Sequence, residues 1–334
     1  MDSRVRTDKN YIPTLDGWRG IAILMVCITH LQDGMFRYHD VGFELRYLGM
    51  HGVAIFFVLS GYLITSTLLV HERIDLGKFY LRRLFRLMPT AWLYLATMVL
   101  FGRLTHLHVI GSDLWSSLFF FRNYSPAVEL NSSALTTHFW SLSIEEQFYL
   151  AWPPLLAMLG KRRALPVAGL LAVACSVYRF THWGLYTYQL SCVRTEVRAD
   201  GLLVGCILAL LLDVPAYRER MRKAGAALIW LAIPIFAWMV HAYHCMVPTS
   251  ESIVIASMLS ATALNPSMPV SRVLEWQHLR FLGVISYSVY VWQEFFLVPH
   301  WGWIGAALLP AVALASWSFI ERPGIRLGRR LAAS

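Results

Sequence analysis

Apolar residues gather along this chain in long blocks separated by short polar joints. The blocks fall near 16–35, 47–71, 88–106, 138–159, 164–182, 195–213, 224–244, 249–265, 278–298 and 302–320. A helix rises about 1.5 Å per residue, so roughly 20 residues cross a hydrocarbon layer of about 30 Å. The pattern therefore predicts an all-α, polytopic membrane bundle of about ten transmembrane helices. One further apolar piece, Leu114 to Phe121, is too short to cross.

Charge sets the orientation. With ten crossings and the N-terminus inside, 20 of the 29 Lys and Arg fall in inner segments, as the positive-inside rule requires. An eleventh crossing would move the later basic joints outside, so Leu114–Phe121 is expected as an interfacial or re-entrant piece on the outer side. Both termini are then cytoplasmic. The expected organisation is one integral-membrane domain over 1–334, with a cytoplasmic segment 1–13 and a cytoplasmic basic tail 321–334. A bacterial inner (plasma) membrane is the expected location.

Composition excludes a soluble globule: 57% of the 334 residues are hydrophobic and only 15% charged, against about a quarter charged in soluble domains. Mean hydropathy is +0.51. A second, soluble domain is not expected. The net charge of +9 is accounted for by anchoring at the inner leaflet. Its basic residues are scattered among joints, so no nucleic-acid partner is expected. Arg4, Arg6 and Lys9 before an apolar run resemble a secretory signal, but no small-residue cleavage site follows. The five cysteines show no Cys-x-x-Cys spacing, and no metal site is expected. Cys27, Cys175 and Cys206 fall inside spans. Cys192 and Cys245 fall in outer joints, where a disulfide between them stays open.

Ionisable groups inside spans are costly and usually face the bundle interior, so they are the candidates for chemistry. In WRGIAILMVCITH, residues 18–30, Arg19 and His30 are eleven positions apart, three turns plus about 20°, and share one helix face. The competing reading is a packed histidine and an arginine snorkelling to phosphates. In HFWSLSIEEQFYLAW, residues 138–152, His138, Glu145 and Tyr149 fall on one face and Glu146 points about 100° away. Trp18 and Trp140 are expected at the membrane interfaces. In RTEVRADGLLVG, residues 194–205, Arg194 and Arg198 share a face and Glu196 and Asp200 nearly the opposite one; an ion-pair network between helices is the simpler account. In SYSVYVWQEFF, residues 286–296, Ser286, Tyr290 and Gln293 form a polar stripe, which interhelical hydrogen bonding alone would explain. Ser60-Gly61 within GVAIFFVLSGYL permits close helix packing or room for a pantetheine arm. Arg82, Arg83 and Arg86 in KFYLRRLFRLMP lie on an expected short amphipathic helix at the inner surface. Contact with anionic lipid is the simpler reading and a phosphate clamp the sharper one.

Taken in order, LDGWRGIAILMVCITH, GVAIFFVLSGYLI, LRRLFRLMP, FWSLSIEEQFYL, VRADGLLVG, ISYSVYVW and FIERP resemble the membrane acyltransferase-3 family. The resemblance runs from Tyr11 to about Pro323. It implies an O-acyltransferase moving an acyl group, acetyl by default, from an acyl-CoA co-substrate to a hydroxyl, often of a carbohydrate. It implies that His30 is catalytic, with Arg19 as its partner, and Arg19, Arg83 and Arg86 would hold the coenzyme A phosphates. Glu145 or Glu146 would orient the imidazole; Arg82 and Ser60 would border the donor. His138, Tyr149, Arg198, Asp200, Tyr290 and Gln293 would serve the acceptor or a structural network. Many members of the family carry His where this chain has Gln293. No tightly bound cofactor is expected. Cys27, one turn before His30, is the alternative acyl carrier, although direct transfer needs none. The competing function is a proton-coupled transporter using the same buried groups. The chain shows neither an inverted repeat nor paired broken helices, the features of that class.

Overall fold

In the computed structural model, residues 11–35, 47–70, 74–105, 111–125, 134–182, 193–242, 248–297 and 301–333 are described. Among them every regular element is helical: α1 (Pro13–Met35), α2 (Leu48–Leu69), α3 (Leu76–Thr105), α4 (Gly111–Leu118), α5 (Phe139–His182), α6 (Thr195–Leu212), α7 (Pro215–Ala242), α8 (Pro248–Leu264), α9 (Pro269–Leu274), α10 (Gln277–Val284), α11 (Ser286–Phe296), α12 (Gly302–Ser316) and α13 (Arg322–Leu331). Single 3-10 turns lie at Arg122–Tyr124 and Ala134–Thr136, and a π-turn at Trp317–Glu321 joins α12 to α13. Five helical stretches are long and apolar enough to cross a membrane: Leu48–Leu69, Leu76–Leu104, Phe139–His182, Pro215–Ala242 and Gly302–Leu331. Leu100, Met158, Leu170, Phe180, Trp230 and Phe319 stand exposed on the outside of the bundle. So much bare apolar surface is compatible with lipid and not with water. The chain is an integral membrane protein.

α2 is the central post. It is apolar on every side, and 61% of its spanning window is buried, against 22% for Gly302–Leu331 at the periphery. α1, α5, α6 and α8 all pack on it. Two glycines allow the closest of these approaches. A Cβ on Gly61 would run into the backbone carbonyl of Leu202, and one on Gly205 into that of Val58. In lipid the hydrophobic effect does not drive helices together, so close contact and polar pins take over. Trp18 donates its indole N–H to Thr262 (3.0 Å), Trp152 to Thr65 (2.9 Å), and Tyr287 its hydroxyl proton to the Leu87 carbonyl (2.7 Å).

Several expectations are corrected. α5 carries both the 138–159 and 164–182 blocks as two arms meeting at Gly160, whose φ of +67° is a left-handed conformation that favours glycine. Arg82, Arg83 and Arg86 lie on the first turns of the 30-residue α3, not on a separate surface helix. Pro89 is accommodated inside that helix. The 278–298 block is broken at Ile285 into α10 and α11. Trp18 and Trp140 are buried against neighbouring helices. The Leu114–Phe121 piece falls in the eight-residue α4 and the turn after it. The basic tail forms α13, which packs on the N-terminal half of α3 through Gly324 and Gly328 beside Phe85. Cys192 and Cys245 lie outside the described residues; Cys27, Cys175 and Cys206 are free thiols.

Candidate functional site

α1 runs unbroken from Pro13 to Met35, so Arg19 and His30 keep the shared face that their spacing predicts. Both are half-buried. They head two polar clusters that meet inside the bundle.

The first cluster gathers around the start of α3. The Arg83 guanidinium donates to Glu146 Oε1 from Nη2 (2.9 Å) and Nε (3.2 Å), and its carbon sits 3.0 Å above the centre of the Tyr149 ring. Tyr149 is one turn beyond Glu145 on α5, and Glu145 Oε1 accepts the Ser60 hydroxyl at 3.0 Å. Arg86, one turn after Arg83, lies within electrostatic range of Arg19, Arg83, Glu321 and Tyr149. Its Nε is buried without a hydrogen-bond partner. Glu321 accepts the Ser288 hydroxyl (2.7 Å). Arg82, on the same helix, is exposed. Of the four arginines expected to face the donor, Arg83 is committed to Glu146, while Arg19 and Arg86 have no hydrogen-bonded acid among the described residues. Glu321 lies within electrostatic range of both Arg19 and Arg86, so the cluster gathers three guanidinium groups whose forks match the oxygens of an anionic group.

The second cluster joins the N-terminus of α5 to α11. His138 does not share the α5 stripe with Glu145 and Tyr149: it occupies the turn just before the helix. There its backbone N–H (2.8 Å) and its ring Nδ1 both meet Glu294 Oε2. Tyr290 stands 2.5 Å from Ser141 and donates to the His138 carbonyl at 3.1 Å. The His138 ring is boxed edge-on by Tyr94, Phe139 and Tyr290, and its Nε2 is buried with no hydrogen-bond partner. Gln293 is fully buried and neither end of its amide makes a hydrogen bond. Glu294 lies within electrostatic range of His30, and Tyr290 within range of both Glu145 and Glu294. Electrostatic range thus links the two clusters into a polar track, from Arg86 and Arg19, past Arg83, Glu145 and Tyr149, to Tyr290, Glu294, His138 and His30.

Arg198 and Asp200 belong elsewhere. Asp200, on α6, pairs with Arg179 of α5 at 3.0 Å and accepts the Thr249 hydroxyl. Arg198 lies 5.9 Å over the Phe57 ring. This is an interhelical network, as the simpler reading of that segment had it, and the partner of Asp200 is Arg179. Three carboxylates escaped the sequence reading: Glu294, Glu321 and Glu251, the last paired with His51 at 2.7 Å. So did Arg122, fully buried and 3.5 Å from Asp113. Glu294 had a visible signal, since it stands one turn after Tyr290 on the same stripe. No group of three or more potential metal ligands exists among the described residues.

Comparison with known proteins agrees with this picture. Residues 12–320 match the model of a family described as an acyltransferase domain. The chain is 32% identical over 94% of its length to YrhL of Bacillus subtilis, a protein named as a candidate peptidoglycan O-acetyltransferase, of which it covers 55%. It is 28% identical to the peptidoglycan O-acetyltransferase OatA of Listeria monocytogenes (88% of this chain, 50% of that one). It is also 28% identical to the O-acetyltransferase OatA of Staphylococcus aureus (94% and 57%). The chain therefore spans about half the length of these relatives. No solved structure matches it.

Proposed function

Because the chain belongs to this acyltransferase family, we propose that it is a membrane O-acyltransferase moving an acetyl group from acetyl-CoA, entering from the cytoplasmic side, to a hydroxyl of an envelope glycan. In this reading the ten apolar blocks cross the inner membrane with both termini inside. The acceptor to try first is a peptidoglycan-type sugar, because that is the substrate in the names of two relatives.

The observation that supports the reading is the polar track: it runs from three guanidinium groups gathered at one end, Arg19, Arg83 and Arg86, toward an imidazole at the other, inside an apolar bundle. Arg19 and Arg86, with Arg83 braced by Glu146, would hold the coenzyme A phosphates; Arg82, exposed, would meet lipid or the outer edge of the nucleotide. Ser60, beside the helix contact at Gly61, would border the pantetheine arm. His30 takes the proton of the acceptor hydroxyl as its oxygen attacks the thioester carbonyl. The C–O bond forms, the C–S bond breaks, and the departing thiolate receives that proton from His30. No acyl-enzyme is required, so Cys27 has no part in the reaction.

The test is coenzyme A release from radiolabelled acetyl-CoA by membranes carrying the chain, with and without a soluble β-1,4-linked N-acetylglucosamine oligomer. Thiol release that rises with the oligomer, with label on the sugar, is the expected result. No release, together with proton-driven uptake of a solute, would replace the enzyme by a transporter. Within this reading Arg86→Ala raises KM for acetyl-CoA by about tenfold or more, the worth of one charged hydrogen bond to a phosphate. The same variant leaves the KM for the sugar in place.

A further inference from the structure

A histidine acting as a base needs a carboxylate to hold its ring and to balance the cation it becomes. Sequence spacing nominates Glu145 or Glu146. Their observed partners argue otherwise. Glu146 is tied to Arg83 by two hydrogen bonds under the Tyr149 stack, and Glu145 is turned to Ser60. Both carboxylates serve the arginine end of the track.

Glu294 stands at the other end. It is buried on α11, a helix that packs on α1, which carries His30, and it lies within electrostatic range of that residue. Its Oε2 is held by the backbone N–H and ring of His138, and His138 is held in turn by Tyr290 and Ser141 through its carbonyl. Such a chain fixes the carboxylate against an imidazole, and no Arg or Lys among the described residues forms a salt bridge with it. The side-chain amide of the neighbouring Gln293, where many family members carry His, makes no hydrogen bond. We propose that Glu294 is the positioning carboxylate of His30, and that His138 is the clamp that aims it. Glu294 orients the imidazole and stabilises the imidazolium while the hydroxyl proton is on it; it exchanges no proton itself. This rests on the acyltransferase reading above.

The experiment measures kcat and KM for acetyl-CoA in membranes containing the full chain, using the N-acetylglucosamine oligomer as acceptor. The variants are Glu294→Gln, Glu294→Asp, Glu145→Gln and His30→Ala, with retention of radiolabelled coenzyme A on the same membranes as a second readout. Glu294→Gln is expected to lose at least about 100-fold in kcat, by analogy with carboxylate removal behind other catalytic histidines. Its KM and its coenzyme A retention stay at the wild-type values. Glu294→Asp, which keeps the charge, recovers part of the loss, and Glu145→Gln costs less kcat than Glu294→Gln. The inference is overturned, with the acyltransferase reading intact, if Glu294→Gln turns over normally while His30→Ala does not. It is also overturned if Glu294→Gln loses turnover and coenzyme A retention together, which marks a merely structural role. If wild-type membranes transfer nothing, the acyltransferase reading fails and this inference fails with it.

Discussion

His30→Ala is expected to lower the rate of acyl transfer by about 10²–10⁴-fold, the usual worth of a positioned general base. A thioester is already activated, so the enzyme's contribution lies in deprotonating a hydroxyl and aligning it. The alanine variant keeps the arginine end of the track: Arg19, Arg83 and Arg86 are eleven residues away along α1 or on another helix. Acetyl-CoA should therefore still bind, and KM should change far less than kcat. His30 is only half-buried, so truncation removes little packing and the variant should reach the membrane in normal amounts. Initial rates with radiolabelled acetyl-CoA, normalised to the amount of protein, decide the point. A rate near wild type would take His30 out of the reaction and leave its proximity to Glu294 a matter of packing.

The helical segments were legible because lipid imposes a simple rule: every backbone polar group must be satisfied within its own helix, so crossing segments are written as long apolar blocks. The rule says little about where a block bends. Ile285 separates α10 from α11 with no proline, and Gly283 nearby is an ordinary close-contact residue in the sequence. Candidate residues were legible one helix at a time. Arg19, His30, Glu145, Glu146 and Tyr290 all stood out as polar groups in apolar surroundings, and the structure gathers them. Their partners were not legible, because helical periodicity relates only positions on one helix. Arg83 and Glu146 are 63 residues apart, and His138 and Glu294 156. His138 itself was misplaced because a helix-wide stripe was extended one residue past the true start of α5, where the backbone leaves the helix and the side chain swings to a different neighbour.

The Arg179–Asp200 pair is where stability should be most sensitive. The two side chains are 8% and 0% exposed, on α5 and α6, with Nη2–Oδ2 at 3.0 Å. Arg179 also donates to the Val197 carbonyl and to Thr249, and Asp200 accepts the Thr249 hydroxyl. Asp200→Ala removes the carboxylate that, among the described residues, is hydrogen-bonded to that guanidinium, and leaves a buried charge without that counter-ion. Breaking a buried pair from one side costs about 3–5 kcal/mol. The expected result is a large fall in the midpoint of thermal or denaturant unfolding in detergent. The double variant Arg179→Met, Asp200→Leu should recover most of the loss, because a well-packed apolar pair removes both desolvated charges at once. Function separates the two roles open to this cluster. Asp200 joins Arg179 and Thr249 and makes no hydrogen bond to the residues of the track. The activity of the double variant per folded molecule should therefore match wild type. An Asp200→Ala chain that unfolds like wild type would mean that water or lipid headgroups reach Arg179. A stable double variant that no longer modifies its acceptor would move Asp200 from the scaffold into acceptor binding.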